Sequence, residues 1–98
     1  MQLPRLGSER NEQPGIWYLD HMVQAFILIQ TDSGRASDVA RAIVEFDGVA
    51  SAEAVTGPYD VIVSAEATDV DALGHLVVTQ IQPVVGIVRT LTCPVIHI

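Results

Sequence analysis

Five consecutive residues, Thr56-Gly57-Pro58-Tyr59-Asp60, concentrate the polar chemistry of this chain. They place a hydroxyl, a phenol and a carboxylate on one short segment. Gly57 permits backbone angles that other residues resist, and Pro58 stiffens the following step. Such a turn exposes backbone N–H groups beside the Asp60 carboxylate. N–H donors next to a carboxylate can hold both ends of a zwitterion such as a free amino acid. The competing reading is an ordinary hairpin turn in which Asp60 caps backbone donors. The residues alone leave both open.

The remaining candidates are weaker. His75 follows Asp71 by four residues, a spacing that could orient an imidazole on a helix but that also describes a solvated pair. Cys93 lies in an apolar run beside Pro94 with no base near it in sequence, so it reads as a small buried hydrophobe rather than a nucleophile. His97, next to the C-terminus, reads as solvated. His21, His75, His97 and Cys93 lack metal-ligand spacing, and Cys-x-x-Cys is absent. Gly48, Gly57 and Gly86 each end an element singly, so no phosphate-cradling loop is present. No metal and no cofactor are expected.

The elements that must position the turn repeat one pattern twice. Residues 25–56 run apolar strand, polar break, amphipathic helix, Gly, strand, and residues 59–92 follow the same order. Two βαβ halves joined at the polar hinge define an α+β, ferredoxin-like βαββαβ sandwich: an antiparallel four-stranded sheet with two helices on one face. Strand one spans Val23–Gln30. The first helix starts near Ser33-Gly34 and ends by Phe46. Its apolar stripe is Ala36, Val39, Ala40, Ile43 and Val44, and Gly48 suits the left-handed position after it. Strand two covers Val49–Val55 and strand three Asp60–Ala65. The second helix opens on a capping box at Thr68-Asp69-Val70-Asp71, lines one face with Val70, Leu73, Val77 and Ile81, and stops before Pro83. Strand four spans Gly86–Ile96, with Pro94 marking an end or an edge.

Strands one, three and four carry apolar residues on both faces, but two helices cover only one. The bare face would exceed the apolar patch that monomers usually tolerate, so a second copy packed face to face is expected.

Composition narrows the function. Ninety-eight residues, 49% hydrophobic, make one domain with a real core. The formal net charge is -7, there is no Lys, and the five Arg are scattered, which argues against direct nucleic-acid binding. A single Cys fits a reducing cytosol. No apolar run approaches the roughly 20 residues that span a bilayer, so no membrane partner is expected. Residues 1–21 hold two Pro, two Gly and five charges without periodicity, and they lack a signal-peptide pattern. They read as a flexible tail, and His21-Met22 suggests a cloning junction. The alternative is a native tail docking Ile16-Trp17-Tyr18-Leu19 on an apolar surface. Residues 22–98 form the domain.

Four segments together resemble a known family. The first strand, the helix ending Phe46-Asp47-Gly48-Val49, the Gly57-Pro58-Tyr59-Asp60 turn and the closing Arg89-Thr90-Leu91-Thr92 are similar to the effector domain of Lrp/AsnC-type regulators, also called the RAM domain. The likeness covers residues 22 to about 96. It implies a face-to-face homodimer, often a ring of four dimers, with a small effector, usually an amino acid, held between dimers near the hinge. It implies ligand contacts from Gly57, Tyr59 and Asp60, with Thr56 preceding them and Arg89 and Thr92 on a strand that often approaches the same cleft. Asp60 would take the ammonium group and turn N–H groups the carboxylate. Full-length members carry an N-terminal helix-turn-helix that is not seen here. The resemblance therefore implies a stand-alone form that buffers an effector or co-assembles with full-length regulators.

Two other functions compete with this binding module. One is a dimeric α+β-barrel enzyme, such as a cofactor-free monooxygenase or isomerase. It would need polar groups between helices and sheet, where this sequence supplies mostly Val, Ile, Leu and Ala. The other is an assembly domain without a ligand.

Overall fold

The computed structural model describes residues 22–96. The readings of residues 1–21 as a tail and of His97 as a solvated terminal residue lie outside that range. Along the chain come β1 (Val23–Thr31), α1 (Ala36–Ile43), β2 (Val49–Ala54), β3 (Val61–Ala67), α2 (Val70–Leu76, continuing as a π-helical turn over Val77–Ile81) and β4 (Ile87–Pro94). The sheet order is β2-β3-β1-β4 with every pair antiparallel, so the two halves interleave as a ferredoxin-like sandwich.

Register decides which residues are core. Side chains alternate across a strand. Ala25, Ile27 and Ile29 of β1 pair with Ala65, Val63 and Val61 of β3, and all six have zero exposure. Val39, Ala40 and Ile43 of α1 and Leu73, Val77 and Ile81 of the second helix complete the core. All twelve buried residues are apolar, and no polar or charged side chain is buried among the described residues.

The helices are shorter or differently faced than their periodicity suggests. The first turn before α1 is held by Arg35 N–H donating to Asp32 O at 3.0 Å, and the helix begins only at Ala36. Val44, read as part of the apolar stripe, is 43% exposed because α1 has ended by then. Arg35 and Arg41 both approach Asp38 on the solvent side, as expected for that face. The second helix is capped by Asp69 rather than Thr68: its Oδ1 accepts from Ala72 N–H at 2.7 Å. Val70 consequently sits in the first turn, 65% exposed, outside the core. Leu73, Val77 and Ile81 recur every four residues, which overshoots an α-helical turn of 3.6. The wider π turn corrects that drift and keeps all three on the sheet.

Two bulges bend the sheet. Ala50 is the extra residue in β2 against β3, and Val88 is the extra residue in β4 against β1. Gly48 has a φ of +92°, and a Cβ there would stand 3.1 Å from Glu66 O. Only glycine satisfies both the angle and the close approach.

The second sheet face carries Phe26 and Leu28 of β1, Ile62 of β3, and Leu91 and Cys93 of β4, opposite the core-facing set. Phe26 and Leu91 are 44% and 47% exposed, and neither helix packs over them. Cys93, expected to be buried, is half-buried on this open face, across from Phe26. Gln24, Gln30, Ser64, Glu66 and Arg89 share the face on either side of the apolar strip.

Candidate functional site

The hinge between β2 and β3 closes against the end of β1 through Asp60. Its carbonyl accepts from Val55 N–H at 2.8 Å, and its N–H donates to Ile29 O at 2.8 Å. The carboxylate Oδ2 accepts from Thr31 N–H at 2.8 Å, in a part-buried setting. Asp60 thus ties three strands together at one point. A carboxylate has more acceptor positions than this one bond uses, and no other hydrogen bond to it occurs among the described residues.

The turn itself projects outward. Thr56, Gly57 and Pro58 are exposed, and Tyr59 is half-buried. Gly57 adopts a φ of +135° with no atom within 4 Å of where a Cβ would lie, so its role is conformational and not one of space. Gln30 Nε2 donates to Pro58 O at 3.1 Å and anchors the turn from β1. Gln30 and Thr31 are the two partners that motif reasoning missed. Their signal in the sequence is the abrupt Gln-Thr pair that follows the apolar run Ala25–Ile29.

Thr56, Gly57, Tyr59 and Asp60 therefore form one cluster. Arg89 does not touch it. It stands opposite Gln30 on β4, so Arg89 and the hinge flank β1 from either side at the same end of the sheet. Thr92 is apart from both. It pairs with Ile27, which places it on the helix side of the sheet, and it lines a groove against α2 with Leu73 and Pro94. Within one subunit the six residues do not surround a single cavity.

Other candidates resolve simply. His75 is exposed. Its carbonyl accepts from Thr79 Oγ1 at 2.6 Å, and no Asp71–His75 hydrogen bond occurs among the described residues. Among the described residues no three His, Cys, Asp or Glu side chains converge, and no helix is long and apolar enough to cross a membrane.

This fold and hinge match a family of regulator domains. Residues 24–98 match the Lrp/AsnC ligand binding domain, and the chain belongs to that family. Among solved structures it is similar to TTHA0845 from Thermus thermophilus, at 33% identity and a TM-score of 0.73, over 78% of this chain and 95% of that one. It is also similar to Escherichia coli AsnC, at 26% identity and a TM-score of 0.75, over 93% of this chain but 60% of AsnC. The transcriptional regulator NMB0573 of Neisseria meningitidis, solved as a complex with L-Met, shares the fold at 22% identity and a TM-score of 0.72, over 93% of this chain and 59% of that one. No curated protein matches the chain.

Proposed function

We propose that this domain is a self-associating effector module, that two copies pack through the open sheet face, and that a small amino-acid-type effector sits at the hinge in a cleft built by more than one subunit. The observation that carries the reading is the hinge clasp. Asp60 is oriented by Thr31 N–H through one oxygen, beside an exposed turn in which the N–H groups of Thr56, Gly57 and Tyr59 donate no hydrogen bond among the described residues. The fixed carboxylate takes the effector's ammonium group, and the turn N–H groups take its carboxylate. Tyr59 and Thr56 border the same cleft. Arg89 and Thr92 join it only as part of a neighbouring subunit's wall, because they lie away from the hinge in their own.

Several findings support this reading. Phe26, Leu28, Ile62 and Leu91 leave an apolar strip uncovered, which a second copy would bury. The L-Met complex of NMB0573 makes an amino acid a reasonable effector class. The module acts by binding and not by catalysis, since the space between helices and sheet is filled by apolar side chains alone. With only Arg35, Arg41 and Arg89 as cations among the described residues, this domain offers no basic surface to DNA and acts through regulators, by co-assembly or by buffering the effector. Its place is the cytoplasm, where such regulators work.

Thermal denaturation with each of the twenty amino acids tests this. Effector at one hundred times its Kd adds about 2.7 kcal/mol of stability, which raises Tm by roughly 11–22 °C in a domain of this size. Stabilisation by a subset of amino acids, lost in a hinge variant, supports the reading. Indifference to all twenty refutes the effector and leaves an assembly domain.

A further inference from the structure

The outer part of the hinge turn hangs on one bond. Asp60 is tied to β1 and to Val55 through its own backbone and carboxylate. The four residues before it, 56–59, are held by a single hydrogen bond among the described residues, from Gln30 Nε2 to Pro58 O at 3.1 Å. That bond is exposed to solvent. Water competes for both of its partners, so by itself it adds little order. Gly57, with no atom within 4 Å of a Cβ position, contributes no packing that would stiffen the segment.

The donor of this bond belongs to a second surface as well. Ala25, Ile27 and Ile29 of β1 point into the core. Side chains alternate along a strand, so Phe26, Leu28 and Gln30 share the open sheet face. Gln30 follows Leu28 on that face, roughly 7 Å further along the strand toward the hinge. Its side chain therefore runs from the rim of the uncovered apolar strip to the turn. A second copy seated on Leu28 and Ile62 closes over the Gln30 stem.

We propose that Gln30 is a positioning residue that couples pairing to the hinge: a second copy on the open face shields the Gln30–Pro58 bond from water and so fixes the turn in its binding geometry. Resting on the pairing and the hinge site proposed above, this coupling adds how one controls the other. Enclosure removes the competing water and lowers the local dielectric, and both strengthen an amide–carbonyl bond. A turn ordered in advance spares an effector the cost of ordering it. Linkage is reciprocal, so an effector that needs the ordered turn tightens the pair by the same factor. The module then answers its effector through assembly, without a change of fold.

The test needs no effector. Nitrogen-15 relaxation gives backbone order parameters for Gly57 and Tyr59 in the wild type, Phe26→Glu, Gln30→Met and the double variant, with the mass of each read by light scattering. Phe26→Glu puts a charge on the open face four residues from Gln30, roughly 13 Å away, and should yield single chains; Leu91→Glu takes its place if it stays paired or fails to fold. Gln30→Met keeps the length and apolar stem of the side chain and loses the donor. In the paired wild type, order parameters near about 0.85 are expected at both residues, falling below about 0.6 in the single chains. Gln30→Met should remain paired and show the lower values in both states, while Val55 and Val61 stay rigid throughout. A purely structural glutamine would leave the wild-type turn equally ordered in paired and single chains. That result, or a Gln30→Met turn that still gains order on pairing, would overturn the coupling and leave the pairing and the hinge site standing. A wild type of single-chain mass would overturn the pairing too.

Discussion

Asp60 can be separated into its two roles by comparing Asp60→Ala with Asp60→Asn. Alanine removes the acceptor of the 2.8 Å bond from Thr31 N–H and leaves that part-buried donor unpaired. A hydrogen bond to a charged group contributes about 1.5–3 kcal/mol net, and an orphaned donor falls in the same range. Partial exposure argues for the lower half, so Asp60→Ala should cost about 2 kcal/mol. At roughly 4–8 °C per kcal/mol for a domain of this size, that is a fall in Tm of about 10 °C. Asparagine keeps an oxygen facing Thr31 N–H and loses only the charge, so its cost should stay under about 1 kcal/mol. Effector binding should behave differently. An ammonium group needs the charge, so both variants should bind the effector at least tenfold more weakly. Differential scanning calorimetry at fixed protein concentration reads the first effect and isothermal titration the second. If Asp60→Asn binds the effector as well as the wild type, Asp60 is a clasp alone. If Asp60→Ala melts with the wild type, the hydrogen-bond account of the hinge is wrong.

The open sheet face predicts a contrast between neighbouring positions. Leu28→Glu or Leu91→Glu should leave a folded chain of monomer mass, because these side chains lie on the uncovered face; circular dichroism with light scattering reads both. Ile27→Glu and Val63→Glu, positions that sequence alone could not assign to a face, point into the helix-covered core with zero exposure and should prevent folding. Gly48→Ala should lose at least about 1–2 kcal/mol from the positive φ alone, with more from the approach to Glu66 O. Gly57→Ala meets no atom within 4 Å and should lose less, as chemical denaturation can show.

The strand and helix order was legible because the apolar runs are long and their periods distinct. Ala25–Ile29 and Val61–Val63 announce strands, and Leu73, Val77 and Ile81 a helix face. Faces within a strand were not legible in β1, where five apolar residues in succession leave no alternation to read. The pairing of Ile27 with Val63 supplied it. The hinge was visible as a motif, but its partners Gln30 and Thr31 lie far from Asp60 in sequence and meet it only through the β1–β3 register. Thr92 was grouped with the hinge by resemblance, whereas strand alternation turns it toward the second helix. The π turn and the Val88 bulge could not be foreseen, since both answer to packing and register and not to local propensity.

The central claim is a module that pairs through its open face and responds to a small effector. Light scattering coupled to size exclusion, with and without each of the twenty amino acids, tests it most directly. The account predicts a mass of at least two 10.6 kDa chains, shifted to a higher multiple or retained to higher dilution by a subset of amino acids. A single-chain mass at every concentration, unaltered by all twenty, would contradict it.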